Sequence, residues 1–446
     1  MDEIRNLENY KESFILKVFN SAFLVLSSFL TLLFEILFKY PEIYFALFLT
    51  AGVYKADPRL SFLPKFLDLT VFFEFLTILG VLYSLLRRKL RFALPPRAIF
   101  LSYVFIITLA ILSLSYTLAP SYGTDKLLRF LFITSPAFFF SIILFQKRET
   151  YIRFWAIFII LATIMGFDII RGGLAPGEIG FHEALGSNYL AVGRISGIAI
   201  LSALPFFFVI KQKLYKFCLL FIMGLFIFSM FISGGRGPLV SFVSSIVFLL
   251  TYFGINSLKI KRNKFVVNKR NLKVLSYLVL FFIFALFIVM YFRNYFLTIF
   301  SRMMLLENLS EASTETRLEL YNTAVIFIKS SPRNIVGLGI GGFSVLYCGY
   351  DVRLYPHNIF LEIASELGIL GFFAFVFIIY RSFVRVLSNI RESKIEMDYY
   401  LNIGLLLNLA FMLINSSVSG DINDNRLLFA ILGLIYAYSR ILNNES

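Results

Sequence analysis

Histidine is the side chain best suited to proton transfer near neutral pH, and one of the two histidines, His357, has an informative context. It follows Pro356 and opens an apolar run that reaches about residue 380. Proline suits the first turn of a helix because its missing N–H would have no partner there, so we predict a helix start at Pro356. A helix dipole opposes protonation at its N-terminus, so His357 should stay neutral and accept a proton from a hydroxyl. A capping or interfacial role is the alternative.

Helical spacing predicts what lies beneath this histidine. The face that starts at His357 would continue through Leu361, Ala364 and Gly368. Small residues there would let another helix or a lipid chain come close. Glu362 and Glu366 fall on other faces, displaced by about 140° and about 180°. Ionisable groups within an apolar helix need a partner or a wet cavity, so we expect both glutamates to hold an arginine or to cap another helix.

Two arginines in or between apolar runs are candidates for binding a phosphate. Arg236 lies in Ser-Gly-Gly-Arg-Gly-Pro, where the glycines let a phosphate approach the backbone and the guanidinium can bind it in a bidentate way. The alternative is an interfacial arginine that reaches lipid head groups. Arg194 is a charge within an apolar run. Weaker candidates are Lys126, Arg129 and Arg171.

Composition indicates a membrane protein. Hydrophobic residues make up 59% of the chain and charged residues 15%, against about 25% charged in a typical soluble domain. The net charge of +15 does not indicate nucleic-acid binding, because the basic residues lie mainly in short loops between apolar runs. We therefore predict an all-α polytopic membrane protein that forms one integrated bundle.

About twelve apolar runs are long enough to span a bilayer. They lie near 14–38, 67–86, 98–118, 126–145, 152–170, 187–210, 215–232, 238–256, 274–296, 357–380, 398–418 and 426–442. A shorter run, 41–54, is interpreted as re-entrant or partly inserted, with a thirteenth span as the alternative. Basic loops such as 211–216 and 381–394 belong in the cytoplasm by the positive-inside rule, which puts both termini inside. The first run is too long for a signal-peptide core and is interpreted as a retained span.

One connection, residues 297–356, is much longer than the others and is predicted to lie outside the cytoplasm. Within it, Ser313 or Thr314 could cap an amphipathic helix that carries Arg317 and ends near Pro332. A solvated ion pair with Glu315 or Glu319 is the alternative role of Arg317. The chain is thus divided into N-terminal helices (1–296), a large loop (297–356) and C-terminal helices (357–446).

Several polar groups have two interpretations each. Asp421, Asp424 and Arg426 would suit sugar hydroxyls or form an ion-pair network among themselves. Four tyrosines could stack on sugars or belong to the interfacial aromatic belt: Tyr122, Tyr347, Tyr350 and Tyr355. Two histidines and two cysteines, Cys218 and Cys348, do not form a metal-ligand set. The cysteines are predicted on opposite sides of the membrane, so no disulfide is expected between them.

Several of these residues together resemble the signature of the O-antigen ligase and polymerase family. Pro356-His357-Asn358 is followed at the family's spacing by Leu361, Glu366, Gly368 and Gly371. The upstream Arg317, Ser331-Pro332 and Gly337–Phe343 are similar to that family's large outer loop, and Ser233–Leu239 resembles its arginine-bearing turn. The resemblance covers roughly residues 187 to 371.

The resemblance implies a membrane glycosyltransferase with a GT-C-like fold of about twelve spans. It implies a catalytic role for His357, diphosphate binding by Arg236 and Arg317, and supporting roles for Asn358, Glu366 and Gly368. Arg194, as a charge within an apolar run, is a further candidate for the diphosphate. The donor would be a glycan on a polyprenyl diphosphate, and membrane lipids would surround the protein. The site would face the periplasm from the bacterial inner membrane.

The acceptor divides the functions within that family. A ligase uses a sugar of the lipid A-core, which is our first expectation. A polymerase uses a second lipid-linked glycan, and a third branch glycosylates proteins. The sequence has no Asp-x-Asp pair to hold a divalent ion against a diphosphate, so we expect arginines to neutralise the leaving group without a metal or other cofactor. A single displacement would invert the anomeric carbon. A polytopic transporter without chemistry is the competing class.

Overall fold

The computed structural model of this chain describes residues 23–29, 31, 34, 38–64, 66–173, 183–261, 264–267, 269–291 and 307–444. Helices dominate this part of the chain, and two short strands form one hairpin. The first eight helices are α1 Pro41–Tyr54, α2 Leu69–Leu86, α3 Arg97–Ser113, α4 Pro120–Leu144, α5 Arg148–Gly173, α6 Tyr189–Val209, α7 Lys213–Ser233 and α8 Arg236–Ser257. After strands β1 Leu258–Lys261 and β2 Lys264–Val267 come α9 Lys269–Tyr291, α10 Glu307–Ser330, α11 Phe343–Cys348, α12 Ile359–Glu366, α13 Gly368–Glu392, α14 Glu396–Ser416 and α15 Arg426–Asn444.

Nine helices in the described part are long and apolar enough to cross a membrane, and the protein is a multi-pass membrane protein. They are α2, α4, α5, α6, α7, α8, α13, α14 and α15. The apolar helix α3 is shorter, with 17 residues, and α9 covers most of the predicted run 274–296. The predicted run 14–38 lies mostly outside the described residues. Helix α1 has 14 residues, fewer than the roughly twenty that a span needs.

Helices α6, α14 and α15 form the buried centre of the bundle. Close packing between α6 and α14 depends on missing side chains: a Cβ on Gly197 would lie 2.4 Å from the Phe411 ring, and one on Gly404 would lie 2.6 Å from Pro205. Small residues allow such approach between helices in a bilayer, where apolar surface alone gives little driving force for association. The side chain of Asn408 donates to Ser202 Oγ at 3.0 Å and adds a polar link across the same interface.

Helix α4 changes its winding near its middle. Residues Phe130–Thr134 form a π-helical turn in which the Ser135 N–H donates to the carbonyl of Phe130. The Ser135 hydroxyl donates to the same carbonyl at 2.8 Å. A π turn contains one residue more than an α turn, so it rotates the first half of α4, which carries Lys126, relative to the second half.

Two boundaries differ from the sequence predictions, and one connection contains strands. The basic connection near 259–273 contains the short antiparallel hairpin β1–β2 in an otherwise helical protein, so the predicted all-α class holds. Helix α10 begins at Glu307, upstream of the predicted caps Ser313 and Thr314, and ends at Ser330 as expected from Pro332. The predicted single helix from Pro356 is two helices, α12 and α13, separated at Leu367.

Glycines explain the break between α12 and α13. Gly368 has a φ of +71°, and a Cβ there would lie 2.1 Å from the carbonyl oxygen of Ile335. A side chain is excluded both by that left-handed conformation and by the neighbouring backbone. The predicted use of this glycine, as space for another helix or a lipid chain, is therefore wrong, because the chain itself fills the space.

A glycine-rich turn, residues 337–342, packs against the end of α12. The N–H groups of Leu338 and Gly339 donate to the carbonyls of Ser365 and Glu366 at 2.9 and 3.0 Å. These bonds satisfy carbonyls that the end of a helix leaves without partners. The turn is thus an ordered cap that ties the segment after α10 to α12.

Candidate active site

His357 lies directly before α12, not inside it. Asn358 is the N-cap: its side-chain oxygen accepts hydrogen bonds from the N–H groups of Phe360 and Leu361 at 3.0 and 3.2 Å. The helix begins after Asn358, and not at Pro356, because asparagine in an extended conformation satisfies two N–H groups that the first turn leaves open. His357 itself has a φ of +56°. The predicted continuous face from His357 to Gly368 therefore does not exist.

The environment of His357 favours its neutral form. Burial is the main reason that its pKa lies below the ordinary value, the positive charge of Arg317 lowers the pKa further, and Asp424 opposes both effects. The Tyr355 ring lies 4.6 Å from the imidazole, centroid to centroid. The direction agrees with the sequence prediction, but burial and a nearby arginine replace the helix dipole as the identified causes.

Arg317 projects from α10 onto the connection between α14 and α15, residues 417–425, here called the α14–α15 loop. Its Nη1 donates to the carbonyl of Val418 at 3.3 Å, and one turn later the Tyr321 hydroxyl donates to the carbonyl of Ser417. Next to this row, Leu320 and Ala324 of α10 are buried. Their packing and the two bonds to the α14–α15 loop fix the direction of Arg317.

The alternative role of Arg317, an ion pair with a neighbouring glutamate on α10, is not observed. Glu319 instead accepts a hydrogen bond from the Tyr347 hydroxyl at 3.0 Å. Among the described residues, Arg317 forms no ion pair with a carboxylate.

Arg194, in the second turn of α6, reaches the same loop. Its Nη1 donates to the main-chain carbonyl of Asp424 at 2.7 Å. Its Nε is buried and has no hydrogen-bond partner in the described part of the chain. Like Arg317, it is bonded to a carbonyl of the α14–α15 loop and not to a carboxylate.

Arg236 is the first residue of α8 and is exposed. The preceding Gly234 ends α7 in a left-handed conformation, with a φ of +71°, which makes a sharp turn possible. A Cβ on the following Gly237 would lie 3.3 Å from Cγ2 of Val418. The arginine-bearing turn is therefore adjacent to the α14–α15 loop, beside the residue that Arg317 contacts.

Asp424 connects several of these groups. Its carboxylate accepts from Arg353 Nη2 at 3.3 and 3.4 Å and from the Tyr355 hydroxyl at 3.2 Å. Asp421 lies 3.8 Å from the same guanidinium. The third member of the predicted cluster, Arg426, forms no ion pair with either aspartate in the described part, and its guanidinium lies 5.7 Å from the centre of the Phe48 ring in α1.

Sequence reasoning gave little weight to Lys126, whose ammonium is 1% exposed and binds both glutamates of α12. Its Nζ lies 2.6 Å from Glu362 Oε1 and 2.7 Å from Glu366 Oε2. The glutamates do hold a cation, as predicted, but the cation is a lysine on α4. The sequence did contain one signal for this pairing. An isolated lysine in one apolar run and two acids in another each require a partner of opposite charge, and each can supply it to the other.

The remaining candidates have separate locations. Arg129 pairs with Asp125 at 3.1 Å on the surface of α4, and Tyr350 is 71% exposed. The Tyr122 ring centre lies 5.4 Å from Lys126 Nζ, inside the protein. Cys218 and Cys348 are free, and His182 lies outside the described residues. No group of three or more histidine, cysteine or acidic side chains in the described ranges could hold a metal ion.

A cavity of about 280 Å³ lies apart from these groups, between α1, α5 and α6. Its walls are mostly apolar and include Leu47, Val53, Leu161, Ile164 and Ile195. Two hydroxyls in the wall are turned away from it: those of Thr50 and Tyr54 donate to main-chain carbonyls of α1. None of the predicted site residues lines this cavity.

Comparison with known proteins gives one family match, over about a third of the chain. Residues 219–376 match the family model described as O-Antigen ligase. This segment contains Arg236, Arg317 and His357 and overlaps most of the region of resemblance noted in the sequence. The match confirms the resemblance over this segment, where the chain is similar to the O-antigen ligase family. No curated protein matches the chain significantly.

Proposed function

We propose that this protein is an O-antigen ligase-type glycosyltransferase that moves a glycan from a polyprenyl diphosphate to a sugar hydroxyl of the lipid A-core. The observation that carries the proposal is that Arg194 and Arg317 both donate hydrogen bonds to carbonyls of the α14–α15 loop. The positive charge of Arg317 also acts on His357, whose environment favours the neutral imidazole. The family match supports the reaction class.

The arginines supply the charge that the leaving group requires. As the glycosidic bond breaks, negative charge builds on the departing diphosphate, so fixed cations stabilise the transition state more than the ground state. Arg194 and Arg317 are bound to main-chain carbonyls, and neither forms an ion pair with a carboxylate in the described part. Arg236, exposed beside Val418, is the third proposed diphosphate ligand.

His357 is the proposed general base or orienting group for the acceptor hydroxyl. An imidazole that is already neutral can accept the hydroxyl proton as the oxygen attacks the anomeric carbon, whereas an imidazolium cannot. Asn358 fixes the start of α12 next to it, and Tyr355 supports the ring. Attack opposite to the bond that breaks would invert the anomeric carbon, and no metal is assigned to the reaction.

The site is proposed to face the periplasm from the bacterial inner membrane. Arg194, Arg236 and the α14–α15 loop lie at one end of the bundle, and basic loops such as 211–216 lie at the other. The excess of lysine and arginine at that opposite end favours its placement in the cytoplasm.

The first experiment follows polyprenyl diphosphate release from a lipid-linked glycan donor by purified protein in the presence of an acceptor. We expect release and glycan transfer by the wild type and a loss of at least about a hundredfold in His357→Ala and Arg317→Ala. Arg333→Ala is the matched control, because Arg333 is an exposed arginine just beyond α10. Unchanged release in the first two variants would reject the proposed site, and donor movement across vesicles without release would indicate a transporter.

Genetic complementation identifies the acceptor. Strains that lack either the O-antigen ligase or the polymerase are provided with this protein, and their glycan length ladders are compared. Restoration only in the ligase-deficient strain is the expected result. Restoration only in the polymerase-deficient strain would assign the second lipid-linked glycan as acceptor, and glycosylated protein in either strain would assign the third branch of the family.

A further inference from the structure

A buried charge cluster beside the proposed site has no role in the reaction scheme above. Lys126 and Glu362 are each 1% exposed, and Glu366 is 2% exposed. The Lys126 ammonium lies within 2.8 Å of three carboxylate oxygens, one from Glu362 and two from Glu366. The Tyr122 ring covers another side of the ammonium. Such short contacts away from water make the cluster sensitive to the loss of any member.

The cluster joins the two segments that shape the candidate site. Glu362 Oε1 accepts a hydrogen bond from the N–H of Ile422 at 3.2 Å, and the main-chain carbonyl of Lys126 accepts one from the Asn423 side chain at 3.1 Å. Both bonds hold the α14–α15 loop, which carries the carbonyl partners of Arg194 and Arg317. Glu362 belongs to α12, which begins two residues after His357.

Glu366 extends the same connection to a third segment. Its Oε2 accepts from the N–H of Gly341 at 2.9 Å, in the glycine-rich turn. Lys126 thus lies where α4, α12, that turn and the α14–α15 loop meet.

Charge counting shows that the cluster cannot be neutral with every acid ionised. One ammonium faces two carboxylates, and a third acid, Asp421, is 2% exposed and close enough to affect both Lys126 and Glu362. Arg353 offsets part of the Asp421 charge from the loop side, and Tyr355 and Tyr122 also face the cluster. An excess buried negative charge is costly, so one acid should keep its proton.

Glu362 is the acid best placed to do so. Its Oε2 is buried and has no hydrogen-bond partner among the described residues, and the buried hydroxyl oxygen of Tyr122 has none either. A carboxylate oxygen without a donor is poorly stabilised when charged. Burial raises the pKa of Glu362 to about 8, with Glu366 and Asp421 adding to the rise and Lys126 opposing it.

We propose that Lys126 is a positioning residue for the transfer reaction, and that the cluster holds α12 and the α14–α15 loop in their active arrangement while Glu362 carries a proton. The proposal rests on the proposed function. Ionisation of Glu362 would add a second uncompensated negative charge and weaken the contacts that hold the loop. Activity would then fall at alkaline pH although neither residue touches the substrate.

The pH profile of glycan transfer tests the proposal directly. We expect kcat/KM of the wild type to fall above about pH 8, and we expect Glu362→Gln to keep the neutral-pH rate within about threefold and to lose that alkaline decline. An unchanged alkaline decline in Glu362→Gln would overturn the proposal.

A variant in which Lys126 and both glutamates of α12 are replaced by uncharged residues tests the positioning role of Lys126, because it leaves neither glutamate as an unpaired buried charge. The triple variant Lys126→Met, Glu362→Gln, Glu366→Gln should fold and bind donor with a KM within about twofold, but its kcat should fall about tenfold because the loop and α12 are no longer held together. The matched control neutralises the exposed pair Lys273 and Glu396, 2.8 Å apart at the opposite end, and should keep its kcat. A wild-type kcat in the folded triple variant would reject the positioning role.

Thermal unfolding separates this proposal from the proposed function. Because the pKa of Glu362 is raised by folding, its contribution to stability is fully present below about pH 4.5 and is lost as pH rises to about 8. The midpoint temperature of Glu362→Gln should therefore increase relative to wild type across that window. A constant difference would reject the proton on Glu362 even if the protein transfers no glycan, whereas absence of wild-type transfer alone would reject only the function.

Discussion

At the scale of single residues, His357 shows how a fixed environment sets protonation. Burial lowers its pKa, and two charges act on it in opposite directions, Arg317 lowering the pKa and Asp424 raising it. A base that must accept a proton near neutral pH benefits from this arrangement, because it is unprotonated before the acceptor binds.

This balance predicts opposite shifts in the acid limb of the pH–rate profile. Arg317→Gln should move the limb to higher pH, since it removes a charge that disfavours the imidazolium, and Asp424→Asn should move it to lower pH. Both variants will be slower than wild type, so the limb is measured on the residual rate. Arg333→Gln makes the same charge change at an exposed position and should leave the limb in place. Shifts in the same direction for both site variants would contradict the assignment of the limb to His357.

At the scale of elements, the break between α12 and α13 determines where His357 lies. The two-turn helix α12 carries the N-cap Asn358 at one end, and the glycine-rich turn 337–342 closes the other. Both ends of α12 are therefore bonded to other parts of the chain. The helix does not depend on its own length, which is too short for independent stability.

Gly368 should be intolerant of even a methyl group. In Gly368→Ala, the methyl group would lie 2.1 Å from the carbonyl oxygen of Ile335, and the alanine would need a left-handed backbone. Together these effects should lower the free energy of unfolding by about 2–5 kcal/mol. Gly349→Ala is the control, because its φ is +77° but nothing lies within 4 Å of its Cβ, so only the conformational strain of about 1–2 kcal/mol applies. Thermal unfolding of both variants in detergent provides the comparison. Equal destabilisation would show that the contact with Ile335 does not matter.

The sequence predicted the elements better than their junctions. Nearly all apolar runs that fall in described residues correspond to helices, because bilayer-length runs have few alternatives to helix. The break at Leu367 was missed since the apolar pattern continues through it and only Gly368 marks it. The α4–α12 ion cluster was missed because 240 residues separate Lys126 from Glu366, and no local pattern encodes that distance. The role of Asp424 as a common partner of Arg353 and Tyr355 was missed for the same reason, because these residues lie about 70 positions away in the sequence.

At the scale of the whole molecule, the helices α6, α14 and α15 form the buried centre, and the candidate site residues lie at one end of it. Arg194 lies in the second turn of α6. The α14–α15 loop supplies the carbonyls that accept hydrogen bonds from Arg194 and Arg317. Placing the site on the connection between two central helices limits its movement, as binding and catalytic geometry require.

The orientation of this end is testable by cysteine labelling. In a protein with Cys218 and Cys348 replaced by alanine, Tyr350→Cys should react with a membrane-impermeant maleimide from outside the inner membrane, because Tyr350 is 71% exposed at the end that carries His357. Lys394→Cys, exposed in the connection between α13 and α14, should react only after the membrane is permeabilised. The reverse pattern would place the site in the cytoplasm and end the proposed function.

The π-helical turn in α4 has a consequence for how this family of sites can change. Lys126 lies on one side of the turn, and the segment that packs against α15 lies on the other. Because the π turn takes up one extra residue, winding the same residues as a regular α-helix would turn the Lys126 ammonium by about 100° about the helix axis, away from Glu362, while the membrane-crossing segment kept its place. Deleting one residue between Phe130 and Thr134 would instead restore the α turn and keep Lys126 close to its present direction. The pairing of Lys126 with α12 therefore depends on the π turn and the residue count of α4 together.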